Sequence, residues 1–228
     1  LEYLHNKMRI KPCLYFLGIG CFPISFLALL NILYSLHFDN FSNINSYTTT
    51  LFLSLITGFI FFKIGKNFKD DITVYEQIFL VLLVYFLISF FYSIPFYFGD
   101  YNLSFIDSYF ESISGLSGTG FSVFENISNL DPPLILWRSS SQWIGGFYFL
   151  IFIILIFSNK LIGFKFVDFS FNLEKKLNFS PNWLSISIRT FFIYFFLTIL
   201  IFSLFSISGI RFFNSFNLAM TVISSGGF

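Results

Sequence analysis

Charge is scarce in this chain. Asp, Glu, Lys and Arg together make up 11% of its 228 residues, where a soluble domain carries about 25%. Too little charge remains to cover a water-facing surface, so a membrane-embedded protein is expected. Cysteine is rarer still. Cys13 and Cys21 lie eight apart in one apolar segment, too far along a helix to pair, and read as small core or lipid-facing residues. The sequence has no CxxC metal motif, no HExxH, no Walker A loop and no Ser–His–acid set at membrane depth. Neither an enzyme nor a cofactor is expected. His5 and His37 stand in flanking segments without a recognisable site. A formal charge of +1 leaves no electrostatic footprint for nucleic acid, and no such partner is expected.

Apolar residues fill the chain instead, at 56%, with 39 phenylalanines that supply lipid-facing bulk. A spanning helix needs roughly 20 largely apolar residues. Segments 12–36, 47–62, 72–98, 134–158 and 184–209 qualify or nearly do, and the lipid bilayer is the first partner. The second is short and would need Lys63 to snorkel. Pro12 and Pro133 suit first helical turns, whereas Pro23 and Pro95 predict kinks. The first apolar run is too long for a signal-peptide core and has no small-residue cleavage site, so it reads as a retained helix. A start on Leu1 and a stop at "SSGGF" read as a fragment.

Basic residues orient these spans. Lys7, Arg9 and Lys11 precede the first, Lys63, Lys66 and Lys69 follow the second, and Lys160, Lys165, Lys175 and Lys176 follow the fourth. The loops 37–46 and 99–136 carry no Lys or Arg. The positive-inside rule therefore predicts a cytoplasmic N-terminus and puts both of those loops outside.

One outer loop holds the sequence's main anomaly. "LSFIDSYFESISGL", residues 103–116, repeats Phe105, Tyr109, Phe110, Ile113 and Leu116 at helical spacing, but it is too short to span. Small residues follow at once: Ser117, Gly118, Thr119 and Gly120. A helix that dips into the membrane and returns would put this non-helical backbone at depth, which is tolerated only inside protein or along a watery cavity. Gly118 and Gly120 permit positive φ, so successive carbonyls could face one axis, as in potassium-type filters. The negative end of the short helix dipole would favour a cation there. Taken alone, the segment fits an extracellular Ser/Gly turn after an interfacial helix equally well.

A repeat favours the membrane reading. Residues 105–121, "FIDSYFESISGLSGTGF", align without a gap on residues 212–228, "FFNSFNLAMTVISSGGF". Phe105/Phe212, Ser108/Ser215, Ser117/Ser224, Gly120/Gly227 and Phe121/Phe228 are identical. Each copy also follows an expected inward-to-outward span. Internal repeats of this kind point to transport architecture.

"ESISGLSGTGFSVF", "LDPPLILWRSSSQWIGG" and "FNLAMTVISSGGF" together resemble the TrkH/TrkG branch of the Trk/Ktr/HKT superfamily of potassium uptake proteins, across essentially the whole chain. The W-R-S-x-x-Q-W-x-G-G run is the most specific of these. The resemblance implies an all-α polytopic membrane protein of helix–pore loop–helix repeats, a voltage-gated-like channel architecture with two extra N-terminal transmembrane helices. On that pattern residues 1–71 are the extra pair, 72–159 the first repeat and 160–183 a cytoplasmic linker. Residues 184–228 begin a second repeat that ends in its filter. It further implies a cell inner membrane location, potassium as the transported ion, a homodimer and a cytosolic nucleotide-binding regulatory subunit. Its filter carbonyls map onto Ser117, Gly118, Thr119, Gly120, Ser224, Ser225, Gly226 and Gly227. The first loop departs from the family's usual threonine-rich run, and Gly118 is expected to loosen it. The alternative is a non-conducting scaffold or truncated remnant whose Ser/Gly segments are plain loops.

Other residues carry narrower expectations. Arg138 opens the fourth span, where the helix dipole disfavours a cation, so it needs a partner; Glu125 and Asp131 are the candidates from the same loop. Asp107 and Glu111 support the pore loop, either concentrating cations at its mouth or forming a solvated face. Trp137 and Trp143 fit an outer aromatic belt. Gly145 and Gly146 admit close packing of another helix. Arg211 reads as interfacial, and Arg189 as snorkelling to the cytoplasmic surface.

Overall fold

The computed structural model of the chain describes residues 9–68, 73–101, 103–127, 130–157 and 183–227. Lys7, Lys69, Lys160, Lys165, Lys175 and Lys176, His5, the linker up to residue 182 and Phe228 lie outside the described residues. Seven α-helices follow in order among the described residues: α1 (Ile10–His37), α2 (Ile44–Gly65), α3 (Val74–Phe98), α4 (Phe105–Ser117), α5 (Pro132–Phe157), α6 (Trp183–Ile207) and α7 (Phe212–Ile223). The five long helices cover the five expected spans, and the two short ones cover the repeated segments.

Four of the long helices, α1, α2, α3 and α6, are apolar enough along their length to cross a membrane by composition. The fourth expected span, α5, is long enough at 26 residues but is not among them. Its first half carries the polar run Arg138–Gln142, and every residue of that run is buried. Three of these are serines whose hydroxyls bond back to their own helix: Ser139 Oγ donates to the Ile135 carbonyl, Ser140 to Trp137 and Ser141 to Arg138. Self-satisfied hydroxyls cost little at depth. The polar run therefore faces protein, and α5 sits among α1, α3, α4, α6 and α7.

Local chemistry sets the helix starts. Thr73 and Glu76 form a capping box on α3, with Thr73 N donating to Glu76 Oε2 at 2.8 Å. The same carboxylate accepts from Arg9 N at 2.9 Å and from the guanidinium at 3.0 and 3.1 Å, joining the starts of α1 and α3. Arg9, read from the sequence as a topology signal, is thus also a tertiary link. Pro12 lies in the first turn of α1, while α1 and α3 run on through Pro23 and Pro95.

The long helices differ in what they present outward. Phe52, Ile56 and Phe59 on α2 and Phe192, Phe196 and Leu204 on α6 are exposed, as lipid-facing surfaces require. Trp137 is not part of an outer belt, because it is fully buried, with Nε1 donating to the Tyr92 carbonyl at 3.1 Å and its ring 4.4 Å from that of Tyr92. Trp143 is also an inter-helix contact, donating to Thr198 Oγ1 on α6 at 3.0 Å. Burying the indole N–H against a partner satisfies it without the headgroup region. Cys13 and Cys21 are free thiols in the core.

Candidate functional site

The two short helices stop in the same way. Gly118 adopts φ +71° in the left-handed region. Its N–H donates to the Gly115 carbonyl at 3.0 Å, and Thr119 N donates to Ser114 at 3.2 Å. At the matching place after α7, Ser225 has φ +55°. Its N–H reaches Val222 at 3.0 Å, and Gly226 N reaches Thr221 at 2.8 Å. Both patterns are Schellman motifs, which end a helix through one left-handed residue and satisfy its last carbonyls. Gly118 therefore occupies a position whose backbone favours glycine, and its counterpart Ser225 is a non-glycine residue held in that conformation.

These two ends meet. A Cβ added at Gly120 would lie 2.5 Å from the Gly227 Cα, and one at Gly118 would lie 3.5 Å from the Ser224 carbonyl oxygen. Gly120, at φ +74°, can hold its backbone against that of Gly227 because it carries no side chain. A cavity of about 300 Å³ adjoins the junction, lined by Ser117 and Gly118 from α4's end and Ser224 and Ser225 from α7's. Tyr85 of α3 and Gly146 of α5 contribute to its wall. Both helices thus bring their C-terminal ends, with their negative partial charge, to one small cavity.

A buried ion pair braces the first end. Arg138 Nη2 lies 2.7 Å from Glu111 Oε1, and Nε donates to the same oxygen at 2.8 Å. The second carboxylate oxygen accepts from Val123 N at 2.8 Å, while Ser122 Oγ receives Arg138 Nη2 at 3.0 Å. Phe124 packs its ring 5.5 Å from the guanidinium carbon. Ser114 Oγ donates to the Phe121 carbonyl at 2.5 Å. The chain leaving residues 117–120 is therefore tied to both α4 and α5.

This corrects two expectations. The partner of Arg138 is Glu111, neither Glu125 nor Asp131. Glu111 is fully buried, so it forms neither a solvated face nor a charged mouth; its charge is offset by a guanidinium in low dielectric. Asp107 lies in the first turn of α4, where its N–H and carboxylate both engage the N-cap Ser104. Asp131 serves the outer frame: Tyr101 donates its hydroxyl to Oδ1 at 2.5 Å and accepts from Asp131 N at 2.8 Å. Burial first, and then its bond to that carboxylate, push the Tyr101 hydroxyl up to about 12.

Two site residues escaped the sequence reading. Gln142 is fully buried, and a Cβ on Gly226 would overlap its carboxamide. Tyr85 reaches the cavity from α3. The W-R-S-x-x-Q-W run held the signal for Gln142, four residues after Arg138 and so on the same helix face. Gly145 does admit a neighbour: a Cβ there would collide with the Leu116 carbonyl at the end of α4.

Together these features define an all-α integral membrane protein in which short helix ends, rather than side-chain chemistry, form the candidate site. Its homologues are Trk-system potassium uptake proteins and an uncharacterized cation transporter. The chain is 27% identical over 223 residues to that cation transporter of Methanocaldococcus jannaschii, covering 97% of this chain and 46% of the relative. It is 25% identical over 188 residues to the Trk system potassium uptake protein TrkH of Vibrio parahaemolyticus, covering 80% and 38%. The crystal structure of the potassium transporter TrkH from Vibrio parahaemolyticus superposes with a TM-score of 0.80 at 22% identity, over 97% of this chain and 44% of that one. That likeness establishes the fold. No protein-family profile matches the chain. The chain spans less than half the length of these relatives.

Proposed function

We propose that this chain forms part of a potassium uptake pathway across the inner (plasma) membrane, with its N-terminus cytoplasmic. Backbone carbonyls of residues 117–120 and 224–227 coordinate the ion as it sheds water. The carrying observation is the meeting of two equivalently terminated helices at Gly120 and Gly227, beside a cavity that receives both helix C-termini. Relatives named as potassium uptake proteins and a cation transporter support the same reading. On this reading the chain supplies two of the four filter segments that its resemblance implies. The homodimer and the cytosolic nucleotide-binding regulator rest on that resemblance. Movement follows the electrochemical gradient, and the protein itself supplies no covalent chemistry.

The test is growth of a potassium-uptake-deficient host carrying the full-length protein. Gly120→Asp or Gly227→Asp, each placing a charged side chain where two backbones touch, is expected to abolish rescue at low potassium. Unchanged rescue at normal membrane expression would refute the filter assignment. A non-conducting scaffold would give no rescue even as the wild type.

A further inference from the structure

Helix α5 follows the first filter segment in sequence, yet its middle touches the second. Three successive positions on one helix face divide the work. Arg138 holds the first segment through Glu111. One turn on, the Gln142 carboxamide lies directly on Gly226, its Oε1 nearest to the point a Cβ would occupy and its Nε2 2.8 Å from that point. One further turn on, a Cβ at Gly146 would come within 2.8 Å of the Ser224 Cβ. Spacing of three to four residues keeps all three on the same side of the helix.

We infer that Gln142 is a positioning residue for the second filter segment. It fixes residues 224–227 against residues 117–120 from the same rigid helix that holds the first segment, and so sets the discrimination between potassium and sodium. The inference rests on the filter reading above. Its chemistry suits the place: a carboxamide offers donors and an acceptor without bringing net charge to the ion's path. Full burial in a packed core leaves it little rotamer freedom, so its grip on Gly226 is stiff. Arg138, by contrast, has its charge offset by Glu111 before it can act on the pathway.

The experiment compares potassium and sodium uptake into proteoliposomes holding the full-length transporter. Gln142→Met keeps the length of the side chain and removes the amide. By removing the group that packs on Gly226, it is expected to lower the potassium-to-sodium uptake ratio roughly tenfold, about 1.4 kcal/mol, at unchanged protein amount. Gly226→Ala, which pushes into the same carboxamide, is expected to shift the ratio in the same direction. The double variant should show less than the product of the two changes, because both disturb one contact. If Gln142→Met does not reach the membrane, Gln142→Asn carries the test with the same expected loss. A wild-type ratio in the Gln142 variant, or effects that simply multiply, overturns the inference. Gly120→Asp and Gly227→Asp separate the two failures. If they leave flux intact, the filter reading itself falls. If they abolish flux while the Gln142 variant keeps the wild-type ratio, only the positioning role falls.

Discussion

Arg138 on α5 and Glu111 on α4 form an ion pair with Nη2 2.7 Å from Oε1, and 3% and 0% of their side chains exposed. Such a pair is held at depth by the extra bonds that saturate it, here from Val123 N and Ser122 Oγ. Removing one partner leaves an uncompensated buried charge, which costs about 3–5 kcal/mol, whereas removing both costs far less. Arg138→Met and Glu111→Gln singly are therefore expected to lower the melting temperature in detergent strongly. The double variant should recover much of the loss. A double variant at least as unstable as the sum of the singles would show that the pair is not the unit described.

The equivalent helix stops make a second, opposite-signed pair of predictions. Ser225 holds φ +55° without being glycine, and Gly118 holds φ +71° as one. Ser225→Gly is expected to stabilise the protein by up to about 1 kcal/mol, and Gly118→Ala to destabilise it by about 1–2 kcal/mol. Thermal unfolding of the two variants side by side checks the signs. Destabilisation by both would contradict the shared Schellman geometry.

The outer frame predicts a pH dependence. The Tyr101 hydroxyl is raised from 10.0 to about 12 by burial and by its bond to Asp131. A raised folded-state value means the neutral form is favoured in the fold. Its contribution is fully present below about pH 10 and is lost as the pH rises through about 12. Thermal stability should fall over that window, and Tyr101→Phe should flatten the fall. A variant with the wild-type slope would assign the titration to another group.

Much of the architecture was legible in the sequence, because membrane spans are written in long apolar runs that local context barely modifies. The expected 103–116 helix is found as Phe105–Ser117, and the gapless repeat recurs as matching hydrogen bonds at both helix ends. What failed was tertiary. Choosing Glu125 or Asp131 for Arg138 followed proximity in the chain, whereas the partner lies 27 positions away, where the packing of α4 on α5 brings it. Trp137 looked interfacial because its composition is amphipathic; only the neighbouring rings of Tyr47 and Tyr92 reveal it as core. Gln142 was part of a recognised motif, but its contact with Gly226 joins residues 84 positions apart, and no local pattern encodes that. Gly118, expected to loosen the filter, has a conformational reason for being glycine.

The proposed ion pathway stands or falls with the meeting of Gly120 and Gly227 as an ion-coordinating junction. Its most direct measurement is potassium and sodium flux through the full-length protein in proteoliposomes, wild type against Gly120→Ala, whose methyl would sit 2.5 Å from the Gly227 Cα. Potassium flux is expected to exceed sodium flux in the wild type and to be lost in Gly120→Ala at equal protein. Wild-type flux in that variant, with the protein folded and inserted, would contradict it.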